Sequence, residues 1–575
     1  MTAPPPMNAL LQKAAAHFER SELEEAEALC VDVLTRAPTA EAWHLRGLIA
    51  INRRDYIQAA EYLTAAVALA PDNFEMHLRL GGALLALEDR ARAPEIVEKA
   101  VALGPTDREA RLYLGQAHLL QKRFDEANAA AVHALAMSPE WPRALELAAL
   151  IALESGRRDR ALQLAQRVLA IESRLPVAHR VAGDVHVFLK NYGLAREHYN
   201  AALTLEPKSG KILAHYALLL SRIGEIEEAV DVYQKSLRYL PGGVSAQHGL
   251  SMALLAKGRL REGWPLYRRR RSVQKLAARH EIFPRMERPP KAGERVLVWL
   301  EEGLGDQIMW ASLIPDLQKI GADLIVECDE RLIPLFQRSF PEITPIPWTE
   351  PAAPIPGARP IGQFSMSDDA ASWFRDSIDD FPARRSYLIA PQGLKQTLHT
   401  KYRRGRENKL VIGVAWRTAQ GGKVADEKTL PLLEWGPLLH MPGVVFVNLQ
   451  YGDCKEEIAA AQAKLNVRIE SDPSIDPVSD VDAFTAQVAA MDLVITTSNA
   501  TAHVAGALGI PTWVLVPKGF GALWHWFIGH DISPWYPSVR IFRQTEKGNW
   551  NTVVDAASSA LVDFVDAGRS PAGYS

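Results

Sequence analysis

The chain has 575 residues, about four times the size of a typical domain, which excludes a single compact core. Its 48% hydrophobic and 23% charged residues lie near the average for globular proteins and exclude a disordered, collagen-like or disulfide-scaffold chain. The chain has 65 Lys and Arg residues and 68 Asp and Glu residues, so its net charge is −3. No overall basic field attracts nucleic acid or an anionic membrane. We therefore expect several folded domains and no nucleic-acid partner.

Cysteine usage and the apolar segments bear on location. Cys30, Cys328 and Cys454 lie far apart and without metal-type spacing, as in proteins of a reducing compartment. The N-terminal segment lacks the basic and apolar regions of a signal peptide. The longest nearly uncharged apolar run, residues 504–517, is too short to span a bilayer. We expect a cytoplasmic protein without membrane insertion.

Residues 1–274 repeat with a period of 34 residues. Seven alanines are separated by one interval of 33 and five of 34 residues, at Ala26, Ala59, Ala93, Ala127, Ala161, Ala195 and Ala229. Prolines follow most of them, and glycines precede four of them, by twelve residues. This pattern resembles the tetratricopeptide repeat, in which small residues let two helices approach closely and proline ends the second helix.

We expect an α-solenoid with seven clear repeats and a partial eighth from about residue 244, in which residues 259–271 cap the repeats and join them to the rest of the chain. Another α-solenoid or a bundle of helical hairpins is the structural alternative. Stacked repeats form a concave groove that commonly holds a protein or peptide, so a protein partner is expected there.

The C-terminal half has a different architecture. Eleven of the 14 tryptophans follow residue 290, and from there short apolar runs alternate with helical patterns. The predicted strands are 295–300, 322–328, 343–348, 409–416, 443–450, 492–497 and 511–517. Residues 350–400 are expected to be mostly loop. The alternation predicts two doubly wound, Rossmann-like lobes, 291–405 and 406–575, with ligands at the carboxyl ends of the strands.

A glycine turn follows the first predicted strand. Gly303 and Gly305 permit a tight turn, and Asp306 falls in the first turn of the next helix. Taken alone, stabilisation of its own helix is the favoured interpretation of Asp306. The turn is not a dinucleotide fingerprint, because no third glycine follows at the required spacing.

A second turn, at residues 496–499, joins a buried strand to an alanine-rich helix. Its amides and short hydroxyls converge at the positive end of a helix dipole, which predicts a phosphate site. Ordinary capping by Ser498 or Asn499 remains the alternative. His503, on the same helix, indicates by itself a structural histidine more readily than a catalytic base.

Two other features suggest sugar chemistry less directly. Asp480 and Asp482 have the DxD spacing by which many sugar transferases hold a cation, but stabilisation of the helix N-terminus that follows is the favoured interpretation. We expect no metal. The aromatic clusters at 524–527 and 533–542 are typical of a core or a lobe-closing surface, and aromatic faces also line sugar pockets.

Residues 295–550 resemble GT-B glycosyltransferases of the lipopolysaccharide heptosyltransferase class, especially the versions fused to tetratricopeptide repeats. The matching stretches are EEGLGDQI, GVAW, DEKTLPLLEW, NLQYGD, NATAHVAGALGIPTW, SPWYPSVRIFRQ and GNW. The resemblance implies an inverting, metal-independent transferase in which Asp306 is the general base and Lys428 contacts the donor phosphate. It implies donor binding by Gly303, Gly305, Lys428, Ser498, Asn499, Ala500 and His503. Heptosyltransferases usually have aspartate and threonine in place of Ser498 and Asn499, and this departure removes a negative charge beside the donor.

The arrangement of repeats followed by a GT-B module is similar to O-GlcNAc transferase and, more closely, to bacterial flagellin glycosyltransferases. That resemblance implies transfer of a nonulosonic acid, from a nucleotide-sugar donor such as CMP-pseudaminic acid, to Ser or Thr of flagellin recruited by the repeats. No cofactor is implied beyond the donor substrate. Two alternatives stay open: a heptosyltransferase-like enzyme with a lipid or polysaccharide acceptor, and a non-catalytic repeat adaptor.

Overall fold

The structure, a computed structural model, describes residues 6–269, 283–300, 303–349, 354–418, 423–519 and 521–567, without the side chains of Lys423 and Val424. It divides into two units, Met1–His215 and Tyr216–Ser575. The first unit is helical. The second contains the last repeat helices and the α/β part of the chain.

Consecutive helices pack in pairs along the repeat region. Within the described residues 6–269 there are sixteen α-helices: α1 (Met7–Glu19), α2 (Leu23–Arg36), α3 (Ala40–Asn52), α4 (Tyr56–Leu69), α5 (Phe74–Ala86), α6 (Ala93–Leu103), α7 (Arg108–Leu120), α8 (Phe124–Met137), α9 (Pro142–Glu154), α10 (Arg158–Ile171), α11 (Pro176–Phe188), α12 (Tyr192–Leu205), α13 (Gly210–Ile223), α14 (Ile226–Tyr239), α15 (Val244–Ala256) and α16 (Leu260–Tyr267). Helix α13 contains the boundary between the two units.

Close contact within each helix pair explains why small residues recur along the repeats. A Cβ atom placed on Gly47 of α3 would lie 2.5 Å from Cγ of Leu63 in α4. On Gly183 of α11 it would lie 2.9 Å from Cε1 of Tyr199 in α12. The seven alanines of the 34-residue series are all fully buried. The predicted solenoid is confirmed, and α16 is a short second helix where the sequence predicted a capping element; residues 270 and 271 of that element lie outside the described residues.

The second unit continues with ten strands and eleven helices in its described ranges. The strands are β1 (Arg295–Trp299), β2 (Asp323–Cys328), β3 (Thr344–Pro347), β4 (Gly362–Ser365), β5 (Leu410–Ala415), β6 (Val444–Asn448), β7 (Ile469–Glu470), β8 (Leu493–Thr497), β9 (Thr512–Val516) and β10 (Val539–Arg543). The helices are α17 (Leu304–Trp310), α18 (Ile314–Ile320), α19 (Ile333–Ser339), α20 (Ala371–Phe374), α21 (Gln392–Arg403), α22 (Lys423–Lys428), α23 (Gly436–Leu439), α24 (Lys455–Leu465), α25 (Val481–Ala489), α26 (Ala500–Ala507) and α27 (Asn551–Asp566).

These strands form two separate sheets, and every described strand pair is parallel. One sheet has the order β3-β2-β1-β4 and the other β10-β9-β8-β5-β6-β7. The strand order therefore reverses between β1 and β4 in the first sheet and between β5 and β8 in the second. Clefts for ligands form at the carboxyl ends of strands at such reversals. The predicted fold class, an α-solenoid followed by two α/β lobes, is confirmed.

The prediction of mostly loop for residues 350–400 is wrong at β4, at the short helix α20 and at α21. Strand β4 (Gly362–Ser365) is buried and pairs with β1, and α21 (Gln392–Arg403) packs against α25. The strand is short and polar, so the sequence has no apolar run there that would predict it. Gln363 Nε2 donates to the distant Phe283 carbonyl at 2.7 Å and the Ser365 amide donates to Asp369 at 3.0 Å, whereas Gln363 Oε1 has no hydrogen-bond partner among the described residues. The bounds 1–274, 291–405 and 406–575 stay predictions.

The last repeat pair belongs to the core of the second unit. Trp264 of α16 is 1% exposed, and its Nε1 donates to the Arg375 carbonyl at 2.7 Å. Its ring meets Trp310 and Trp524 edge to face, at centroid distances of 6.4 and 5.5 Å. The Ile528 amide also donates to a carbonyl of α15 at 2.7 Å. The segment after β9 is thereby held by the repeat helices.

Cys30, Cys328 and Cys454 are buried and form no disulfide. Among the helices of the described ranges, none is long and apolar enough to cross a bilayer.

Candidate functional site

The two turns singled out in the sequence come together in the second unit. Gly303 is the residue before α17, and Asp306 lies in its first turn, directly after the carboxyl end of β1. A Cβ atom on Gly305 would lie 3.0 Å from Cδ2 of His503 and 3.2 Å from Cα of Ala500. Helix α17 of the first lobe therefore touches α26 of the second, and Gly305 permits this approach because it has no side chain. The site lies at the carboxyl ends of both sheets.

Asp306 supplies a carboxylate at this contact. It is half-buried, and a Cβ atom on Gly303 would lie 3.3 Å from its Oδ2, so the carboxylate folds over its own turn. It interacts electrostatically with Lys428 and with Tyr536. The positive end of the α17 dipole favours an ionised carboxylate there. Asp306 is thus a half-buried carboxylate at the contact between α17 and α26.

Lys428 ends α22 in the second lobe and interacts electrostatically with Asp306. The preceding residue, Glu427, is anchored because its Oε2 accepts from the Gly521 amide at 3.2 Å and from Lys547 Nζ at 2.9 Å. Lys428 itself is half-buried and makes no ion pair with a carboxylate of the described residues. Burial lowers its pKa, and the charge of Asp306 opposes that shift. An anionic ligand would stabilise this ammonium further.

In the second turn the side chains of Thr496, Ser498 and Asn499 are hydrogen-bonded within the protein, whereas the buried Thr497 hydroxyl has no hydrogen-bond partner among the described residues. Asn499 Oδ1 accepts from the Ala502 amide at 3.4 Å and from Thr496 Oγ1 at 3.0 Å. Asn499 Nδ2 donates to the Arg417 carbonyl at 3.2 Å, which links the ends of β8 and β5. Ser498 Oγ accepts from Trp526 Nε1 at 2.8 Å. Capping by Asn499 is therefore confirmed, and phosphate binding by the amides of this turn stays a prediction.

His503 is buried among aromatic rings behind the turn. Its Nδ1 lies 2.9 Å from the Tyr536 hydroxyl, and its ring stacks on Trp526 at 5.4 Å and 23°. The His525 ring meets it edge to face at 5.0 Å. Burial, aided by the charge of Lys428, lowers the pKa of His503 to about 3, and burial also holds the pKa of His525 well below its usual value. Both imidazoles are neutral at physiological pH.

An arginine holds the aromatic segment that carries His525 and Trp526. Phe527 adopts the left-handed backbone region, with φ of 38°, which is unfavourable for a bulky residue. The Arg543 guanidinium donates to the carbonyls of Trp526 and Phe527, and to that of His530 at 3.3 Å. Burial lowers the pKa of Arg543 to about 10. These hydrogen bonds hold a strained backbone turn beside the site. Strained backbone of this kind is common at functional sites.

A polar surface extends from the turn along the ends of β5 and β6. Gln450 Oε1 accepts from the amides of Trp416 and Arg417, each at 2.9 Å. Arg417 Nε donates to Glu457 at 2.9 Å, and its Nη2 donates to the Asp453 carbonyl at 2.7 Å. These polar groups lie at the strand reversal, where ligands of parallel α/β sheets commonly bind.

The DxD pair serves the local structure, as the sequence indicated. Asp480 caps α25 by accepting from the Ala483 amide at 2.9 Å. Asp482 forms an ion pair with Arg338. No group of three His, Cys, Asp or Glu side chains is arranged to hold a metal within the described ranges. Metal independence stays a prediction.

Several residues of the site were not predicted from sequence. Tyr387 reaches it from a segment predicted as loop, and His525, Trp526 and Tyr536 were interpreted only as members of the aromatic clusters at 524–527 and 533–542. A weak signal existed in the placement of His525 between two tryptophans. The predicted residues lie in or beside three helices, of which α17 and α26 are in contact: Gly303, Gly305 and Asp306 at α17, Lys428 at the end of α22, and Ser498, Asn499, Ala500 and His503 at α26.

Comparison with known proteins begins with the repeats. A tetratricopeptide-repeat family model matches residues 44–108, 84–140, 114–176, 147–211 and 180–244. Two solved structures are similar to part of this chain. A tetratricopeptide repeat protein from Parabacteroides merdae has 13% identity and a TM-score of 0.38, covering 43% of this chain and 98% of that one. TTC0263 from Thermus thermophilus has 23% identity and a TM-score of 0.30, covering 32% and 100%.

One curated relative extends beyond the repeats. Protein FlbA of Caulobacter vibrioides is 31% identical to this chain over 439 residues, which cover 72% of this chain and 71% of FlbA. With its tetratricopeptide repeats and this degree of identity over most of both proteins, the chain belongs to the FlbA family.

Proposed function

We propose that this chain is an inverting protein O-glycosyltransferase whose repeat groove binds the acceptor protein. One observation carries the proposal: the turn of the first lobe that bears Asp306 contacts the N-terminal turn of α26 in the second lobe, where Asp306 also interacts electrostatically with Lys428. A proton acceptor on one lobe can take the proton of the attacking hydroxyl. A cation and a helix N-terminus on the other lobe can stabilise the negative charge of the departing phosphate. These are the two charge changes of glycosyl transfer.

In this reaction Asp306 takes the proton of a Ser or Thr hydroxyl. The oxygen then attacks the anomeric carbon from the face opposite the nucleotide, a new C–O bond forms and the bond to the donor phosphate breaks. Lys428 and the amides at Ser498, Asn499 and Ala500 stabilise the departing phosphate. Gly303 and Gly305 let the backbone approach the donor closely. The nucleotide leaves with the bonding electrons and the configuration inverts.

For the donor we propose a nonulosonic acid activated by CMP, and for the acceptor flagellin, with the reaction in the cytoplasm. A nonulosonic acid carries its own carboxylate beside the anomeric carbon. Ser498 and Asn499 put no negative charge at the start of α26, where heptosyltransferases have aspartate, so repulsion of an acidic sugar is avoided. The sequence resemblance to bacterial flagellin glycosyltransferases supports the same donor and acceptor.

The test is intact-mass spectrometry of surface proteins from cells that carry the wild-type chain, Asp306→Asn, or the control Asp323→Asn. Asp323 begins β2, at the end of the strand away from the site, and pairs with Arg295. We expect a sugar-sized mass increment on flagellin with the wild type and the control, and none with Asp306→Asn. An undiminished increment with a folded Asp306→Asn chain would falsify the role of Asp306. A wild-type chain that modifies only lipid or polysaccharide would refute the protein acceptor.

A further inference from the structure

The turn after α13 is in backbone contact with the segment after β9. A Cβ atom on Gly519 would clash with the carbonyl oxygen of Arg222, in the last turn of α13. A Cβ atom on Gly224 would lie 3.2 Å from the Gly519 amide nitrogen. Both glycines have positive φ, 87° at Gly224 and 89° at Gly519, which residues with a Cβ atom rarely adopt. The approach of these two backbones therefore depends on glycine at both positions.

Lys547 connects this contact to α22. Its Nζ donates to the Arg222 carbonyl at 2.6 Å and to Glu427 Oε2 at 2.9 Å. Carbonyls of the last helical turn have no partner within the helix and lie at the negative end of its dipole, so a cation is favoured there. The side chains of Lys547 and Glu427 are 20% and 11% exposed, so salt screens their ion pair weakly. Lys547 thus joins the repeat helix α13 to α22.

The segments that carry Lys518 and Lys547 are held to each other by hydrogen bonds. Gln544 Oε1 accepts from the Lys518 amide at 3.1 Å and from the Gly548 amide at 3.2 Å. Lys518 Nζ donates to the Thr545 carbonyl at 3.0 Å. The backbone on both sides of Lys547 is therefore held against the segment that contacts α13.

Glu427 connects this arrangement to the candidate site. Helix α22 has six residues and ends at Lys428. Of its described side chains, only that of Glu427 is hydrogen-bonded to another segment, because it accepts from Lys547 and from the Gly521 amide at 3.2 Å. A helix of this length is not stable by itself, so its position depends on tertiary contacts of this kind. The contacts of Glu427 hold the backbone next to Lys428.

We propose that Lys547 and Glu427 are positioning residues that hold Lys428 at the site, and that the end of α13 is part of the same support. Lys547 also balances the charge of Glu427, which would otherwise compete with an anionic ligand for the neighbouring Lys428. That this ligand is a nucleotide sugar rests on the proposed function, whereas the support of Lys428 does not. The repeats thus help to build the ligand site, in addition to binding the acceptor.

The support is tested by amide hydrogen exchange of the full chain without ligand. We expect residues 423–430 to exchange about tenfold faster in Lys547→Met, because Glu427 loses its ion pair, and to exchange as in the wild type in Lys547→Arg. Lys401→Met is the matched control, since Lys401 pairs with Asp472 at 2.7 Å from α21, and it should leave this exchange unchanged. Equal exchange of residues 423–430 in the wild type and Lys547→Met would overturn the proposal, whatever ligand the chain binds.

The effect on the site is tested by calorimetric titration with CMP. We expect Kd to rise about tenfold in Lys547→Met and to stay near the wild-type value in Lys547→Arg and Lys401→Met. Because Lys547 acts through Lys428, adding Lys547→Met to Lys428→Met should change Kd less than about twofold. The same tenfold rise in both backgrounds would refute the positioning role. A wild-type chain that binds no CMP, with faster exchange of residues 423–430 in Lys547→Met, would contradict only the proposed donor.

Discussion

Acidification from pH 7 to pH 5 should destabilise the second unit, because the folded chain keeps His503 neutral while the unfolded chain protonates it. The folded pKa of about 3 lies below the usual value of 6.5. As the pH falls, the unfolded chain therefore binds the proton first, and stability present above pH 6.5 is lost until the pH reaches the folded pKa. Between pH 7 and pH 5 this loss is about 2 kcal/mol for one histidine.

Urea unfolding of the wild type and His503→Gln at both pH values isolates this contribution. The other titrating groups are common to the two chains, so they largely cancel in the difference. We expect the advantage of the wild type over the variant to shrink by about 2 kcal/mol between pH 7 and pH 5. A stability difference that stays constant over this range would refute the buried, neutral state of His503.

Three further changes should have measurable effects. Lys428→Met should weaken binding of the nucleotide CMP about tenfold to a hundredfold in calorimetric titration, because a charge-assisted contact is lost, while the exposed Lys319→Met should leave it unchanged. Trp264→Ala should lower the free energy of unfolding of the second unit by about 3–5 kcal/mol, since it removes a side chain that is 1% exposed. Denaturant unfolding measures this change, and a free energy of unfolding close to that of the wild type would contradict the role of Trp264 in the core. Gly506→Ala puts a Cβ atom 2.6 Å from Cγ of Tyr536. The cost of overpacking, about 1–3 kcal/mol, should exceed the gain in helix propensity of about 1 kcal/mol, so the variant should be less stable. A variant that is more stable in thermal unfolding would contradict that geometry.

The fold was largely predictable because two periodic signals extend over long stretches. The 34-residue alanine series marks places where paired helices touch, and apolar runs such as 493–497 are strands buried on both faces. Strand β4 escaped prediction because it is four residues long and its polar side chains are buried through hydrogen bonds to distant segments. Burial of polar side chains through hydrogen bonds to distant segments cannot be detected from the local hydropathy of the sequence.

The candidate site was predictable only at the two turns that follow predicted strands. Gly303 to Asp306 and Ser498 to His503 each follow a strand, so their approach to a common edge follows from parallel topology. The tyrosines could not be predicted, because Tyr387 and Tyr536 are separated by about 150 residues and meet through tertiary packing alone. The function of Asn499 was ambiguous for another reason, since a helix cap and a ligand-binding turn use the same residue types.

The most direct measurement is the mass of purified flagellin after incubation with this chain and CMP-pseudaminic acid. The wild-type chain should add one or more pseudaminic acid masses to flagellin and release an equal amount of CMP. Asp306→Asn, folded to the same extent by its unfolding curve, should add none. Flagellin of unchanged mass with the wild type, or the same increment with Asp306→Asn, would contradict transfer at this site.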